Sequence, residues 1–130
     1  MDQRTLIISC VEYYSHAKII TGPMMFKSFE ETEILSLLLE SLKQFPQMDM
    51  GFFLGVIDGV LAQGSYLADC NFPGSQERIA KICEVVAMLA KKHKMNDLEA
   101  CQMYYSSKTA ETIDIEQKSA QEIYDLIEAE

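Results

Sequence analysis

Apolar residues recur through the chain at helical spacing, interrupted by a few short clusters of turn formers. Ile7, Cys10, Val11, Tyr14 and Ala17 follow a 3.6-residue period, which predicts a helix from Leu6 to Ile20. The strand-like Leu6-Ile7-Ile8 run, with its two β-branched isoleucines, is the one place where a strand competes. Gly22-Pro23, Phe45-Pro46 and Pro73-Gly74 read as turns between helices. Ser28 with Glu31 three residues on matches a capping box, with Glu30, Glu31 and Glu33 where a helix dipole favours acids. The stripe Leu35, Leu38, Leu39 and Leu42 follows and stops near Pro46.

Asp49 is placed to cap a third helix, from Met50 to Leu67. Phe52, Phe53, Leu54, Val56, Ile57, Val60 and Leu61 make it apolar nearly all round, so it is expected to be central and buried. Ser75 caps a fourth helix with the stripe Ile79, Ile82, Cys83, Val86, Leu89 and Ala90, closing on the basic Lys91-Lys92-His93-Lys94. Asn96 or Asp97 opens a fifth helix to about Lys108. A last one runs from about Ile115 to Ala129, with Ala120, Ile123, Tyr124 and Ile127 inward. The pattern therefore predicts an all-α bundle of five to six helices. Its 130 residues correspond to one domain, long enough to bury a core without metals or disulfides.

Charge narrows the class of partner. The chain carries 20 acids and 11 bases, a net charge of −9. This disfavours nucleic acid and anionic membrane, which need a basic face, and suits a basic protein partner. The acids are densest between residues 97 and 130. No apolar run is long enough to span a bilayer, and Glu12 interrupts the apolar stretch beginning at Leu6. The expected location is cytoplasmic, or periplasmic if an export signal has been removed.

Candidate chemistry is sparse. Cys10, Cys70, Cys83 and Cys101 lack C-x-x-C spacing and read as small buried hydrophobes, with disulfides in an oxidising compartment as the alternative. His16 and His93 sit at no zinc-ligand spacing relative to the cysteines, so no metal is expected. No glycine-rich phosphate loop is present, and no cofactor is expected. Asp58, within the apolar third helix, needs a hydrogen bond or a solvated edge, and is the one candidate catalytic carboxylate.

Binding features are more numerous. Gly51, Gly55 and Gly59 recur every four residues, a spacing that lets another helix backbone approach closely. Each costs roughly 1 kcal/mol against alanine in a helix. Tyr104-Tyr105 and Tyr13-Tyr14 are adjacent pairs, of which one member is expected to reach the surface. Met24 and Met25, in an expected loop, offer an adaptable apolar contact. Tyr104, Tyr105, Met24 and Met25, with the acids Glu111, Asp114 and Glu116, form the expected partner-binding set.

Gly55-Val56-Ile57-Asp58-Gly59, then Cys70 and Pro73, then an amphipathic helix to His93, resembles the Rap1a/Tai type of bacterial immunity protein. That pattern joins an aromatic-rich G-V-x-D-G helix to a cysteine shortly before a proline and a following Val- and Leu-rich helix. The resemblance covers about residues 52–95. It lacks the family's cysteine before the aromatic helix and its Phe-Pro-Cys ending. It implies a small helical protein that neutralises a toxic type VI secretion effector. Function is thus expected to be protein binding, as an inhibitor that occludes a toxin or effector enzyme, with a homodimer as one candidate assembly. A secretion chaperone or adaptor, and a small enzyme using Asp58 or a cysteine, are the alternatives.

Overall fold

The computed structural model describes residues 1–61 and 71–130. Eight α-helices occur among them, with no strand, so the all-α expectation holds while the helix count exceeds five to six. They are α1 (Gln3–Lys18), α2 (Gly22–Glu31), α3 (Ile34–Gln44), α4 (Met50–Leu61), α5 (Ser75–His93), α6 (Asp97–Tyr105), α7 (Lys108–Thr112) and α8 (Ala120–Glu128). A 3-10 turn, Ile115–Gln117, lies between the last two.

The central helix is α1. Every residue from Leu6 to Ser15 is buried, because α2, α3, α4, α5 and α6 pack around it. The apolar Leu6-Ile7-Ile8 run therefore serves a helix enclosed on all faces, which removes the need for a one-sided stripe. Asp2 caps it by accepting from the Thr5 amide at 2.7 Å. That backbone bond holds the Asp2 carboxyl below its ordinary range.

The central position expected for the third helix falls to α1 instead. In α4 only Phe53, Leu54 and Ile57 are buried. Gly51, Gly55 and Gly59 are exposed on one side. A Cβ added at Gly55 or Gly59 meets nothing within 4 Å, and at Gly51 only the Asp49 carboxylate, at 3.4 Å. Among the described residues the three glycines thus do not admit a neighbouring helix. Glycines raise the apolar character of a sequence without giving it side-chain surface to bury. The Asp49 cap is present, accepting from the Phe52 amide at 3.1 Å. The expected extension of this helix beyond Leu61, and Cys70, lie outside the described residues.

Several boundaries differ from those expected, most of them for reasons of capping. The Met24-Met25-Phe26 stretch is helical, because Thr21 caps α2 by accepting from the Met24 amide at 3.2 Å and Pro23 sits in its first turn. Ser28 is therefore interior to α2 and caps nothing. The break before α3 comes at Thr32, whose hydroxyl donates to the Phe29 carbonyl and accepts from the Ile34 amide. Near the C-terminal end, the single expected helix from Ile115 splits. Ser119 and Glu122 form a reciprocal capping box that starts α8 at Ala120. The expected fifth helix also ends early, at Tyr105, and α7 follows as a separate turn. Glu130 then accepts from the Lys108 and Thr109 amides, both at 2.9 Å, fastening the end of the chain to α7.

The Asn96 cap is as expected, in a full capping box with Glu99. At α5 the cap lies one residue before Ser75, at Gly74, whose φ of 80° suits glycine. Among the described residues no helix is long and apolar enough to cross a membrane.

Candidate functional site

Glu12 is 2% exposed, in the middle of the central helix. Its carboxylate is held from two sides. The Arg78 guanidinium, from the first turn of α5, donates through Nε to Oε1 at 2.7 Å. The Tyr105 hydroxyl, from the last turn of α6, donates to Oε2 at 2.8 Å. Burial, reinforced by the Glu12 charge, pushes the Tyr105 phenol well above its ordinary value, so it remains a donor. Burial opposes the Arg78 charge most strongly, yet the charge and hydrogen bond of Glu12 outweigh it and raise the guanidinium.

Gly22 is the glycine that a close approach requires. A Cβ there would lie 2.9 Å from both Glu12 Oε2 and Tyr105 Cε1. Gly22→Ala should therefore push the first turn of α2 off this pair. The expected loss is about 1–3 kcal/mol, the usual range for overpacking. Urea denaturation of the variant checks it, and an unchanged midpoint would show that the α2 start is loosely seated.

Arg78 continues outward to Glu116, whose Oε1 lies 3.5 Å from Nη1. The 3-10 turn carrying Glu116 is tied to α5 by Lys81, which donates to the Ile115 carbonyl at 2.8 Å. His16, one turn after Glu12 on α1, stacks on Phe72 with centroids 3.9 Å apart and planes at 13°. Glu12, His16, Phe72, Pro73, Arg78 and Glu116 line a cleft of about 350 Å³. His16 and Ile20 also line a second, more apolar depression with Ala17, Ile19, Thr21 and Met24.

Ile19 forms the crest between helices α1 and α2. It is 91% exposed and adopts φ 57°, ψ 49°. Its amide bonds to the His16 carbonyl, and the next amide reaches back to Ser15, closing α1 in the manner glycine usually serves. A β-branched residue in this region costs roughly 1–2 kcal/mol. The two capping bonds are the return within the fold, as at Lys94, which ends α5 in the same conformation; the Ile19 side chain, in solvent, adds nothing to it. Met24, beside it, is 55% exposed.

The structure disperses much of the expected partner-binding set. Tyr104 and Tyr105 are buried because α6 is enclosed by α1, α2, α5 and α7, and Tyr13 and Tyr14 are buried because they lie on the enclosed α1. Tyr105 stacks on Phe26 at 5.0 Å. Met25 is buried and Met24 exposed, as their places on α2 dictate. Glu111, Asp114 and Glu116 are exposed. Asp114 belongs to a separate groove with Leu126 and Glu130, while Glu116 lines the cleft.

Asp58 accepts a hydrogen bond from the Tyr14 hydroxyl, which also lies 3.4 Å from the Leu54 carbonyl oxygen. His93, at the end of α5, pairs with Glu128 at 2.7 Å. Cys83 and Cys101 carry free thiols, and Cys10 is buried with its sulfur 3.9 Å from that of Met50. Among the described residues no group of three His, Cys, Asp or Glu side chains is placed to hold a metal.

Sequence reasoning used Glu12 only as an interruption of an apolar run, and missed Arg78, Gly22 and Ile19. The available signal was a lone acid within ten otherwise uncharged residues of a strongly apolar helix. Such an acid requires a buried cation or several donors. Comparison with protein-family models, with curated proteins and with solved structures found no match.

Proposed function

We propose that this protein is a protein-binding module that docks a folded partner on the corner between α1 and α2, and that it acts as an inhibitor occluding an enzyme. The observation that carries this reading is Ile19, a β-branched residue held in left-handed backbone with nearly all its surface in water. A helix end of this kind is usually served by glycine, and a large apolar side chain kept there in water is a mark of a functional position. With Met24 it supplies an apolar anchor, and the net charge of −9 suits steering toward a basic active-site cleft. The resemblance of residues 52–95 to Rap1a/Tai-type immunity proteins points the same way, toward a secreted effector or toxin as the enzyme. The saturation of the Glu12 carboxylate by Arg78 and Tyr105 favours a structural role for that acid over a catalytic one.

Two substitutions test the corner. Ile19→Gly should raise stability by about 0.5–1 kcal/mol, since relief of the left-handed strain exceeds the entropy glycine adds to the unfolded chain. The same variant should bind the partner more weakly. Ile19→Ser with Met24→Ser should abolish capture of the enzyme from the native lysate and its inhibition, at unchanged melting temperature. If these variants inhibit as well as the parent, the docking surface lies elsewhere.

A further inference from the structure

We infer that the cleft beside this corner receives an arginine side chain of the partner. The inference rests on the docking reading above and adds the chemistry of one contact. Among the described residues, the charged groups lining the cleft are two acids, Glu12 and Glu116, and one base, Arg78. Arg78 is matched by Glu12 at 2.7 Å. Glu116 is therefore the surplus charge. Its separation of 3.5 Å from Arg78 exceeds a good charged hydrogen bond, and its side chain is 63% exposed, so its oxygens are open to a second cation.

Planarity selects arginine over lysine. The His16 and Phe72 rings are nearly parallel, and His16 is exposed. A guanidinium can extend that stack while forking onto the Glu116 carboxylate, whereas an ammonium can do neither as a flat group. Lys81 fixes the turn bearing Glu116 through the Ile115 carbonyl, so the acid is presented on a held backbone. The cleft shares His16 and Ile20 with the apolar depression, so a partner segment carrying an apolar residue near an arginine engages both at once.

The probe is N-acetyl-arginine amide, titrated into the isotopically labelled protein and followed by NMR, with N-acetyl-citrulline amide as its neutral isostere. The expected result is saturable shifts at His16, Arg78 and Glu116, with citrulline and lysine amides each weaker by roughly tenfold, the order of one charge-assisted contact. Glu116→Gln, a substitution at an exposed position, should remove the difference between arginine and citrulline. Absence of shifts in the cleft, or equal binding of citrulline, overturns the inference. An Ile19→Ser effect on partner capture that persists when Glu116→Gln has none would leave the docking reading standing and the arginine contact refuted.

Discussion

Glu12→Ala is expected to cost roughly 3 kcal/mol or more, near the low end of the range for breaking a buried ion pair, since Arg78 retains some water. The substitution strands two donors. The Tyr105 hydroxyl is left inside the core without an acceptor, and the Arg78 guanidinium without its counter-charge. A domain of this size has a total stability on the order of 5–15 kcal/mol, so the change should be visible as a large drop in the urea midpoint. Replacing all three groups with apolar residues of similar volume (Glu12→Leu, Arg78→Met, Tyr105→Phe) should recover much of the loss, because the penalty comes from unpaired groups. A loss below about 1 kcal/mol for Glu12→Ala would mean that the trio contributes little beyond its shape.

Alkaline pH should unfold this protein more readily than its acidic composition suggests. Burial pushes the Cys83 thiol from 9.0 up to about 11 and the Cys101 thiol up to about 12. The Tyr104 and Tyr105 phenols are likewise raised by burial above their usual 10.0. In each case the folded pKa exceeds the unfolded one. The stabilising contribution is therefore complete below about pH 9 and is lost as the pH rises through 9 to 12. Each of the buried groups Cys101, Tyr104 and Tyr105 can steepen the decline by up to about 1.4 kcal/mol per pH unit, and the half-buried Cys83, screened by solvent, by less. Urea midpoints measured between pH 8 and pH 11 should fall progressively. Cys83→Ala with Cys101→Ala should flatten the earlier part of that fall. A midpoint constant across the range would contradict the burial of Cys101, Tyr104 and Tyr105.

Local signals placed most helices well and their tertiary roles less well. Asn96 and Asp49 cap as their side chains allow, because a cap is settled within three or four residues. Ser28 matched the same motif and failed, since Thr21 and Pro23 had already begun a helix that runs through it. The burial of Tyr104 and Tyr105 depends on α1, α2, α5 and α7 closing around α6, and no local spacing contains that information. Likewise, the apolar content of residues 50–61 suggested a core helix, while the position of α1 depends on what every other element leaves available. The site was least legible. Glu12, Arg78 and Tyr105 meet across separations of 66 and 93 residues, and Ile19 is notable only for a backbone angle.

The enclosure of α1 also bears on how the chain is made. Ribosomes produce this helix before almost everything that covers it, and the partners of Glu12 are synthesised more than sixty residues later. Until α5 and α6 emerge, the faces of Leu6 to Ser15 that those two helices cover stay open, although α2, α3 and α4 are already made. Nascent chains stalled before residue 78 should therefore be held by cytosolic holdases and released once α6 has cleared the exit tunnel. The buried carboxylate at the middle of that stretch would then act as a gatekeeper, breaking an otherwise adhesive segment with a charge while its cation is still being translated.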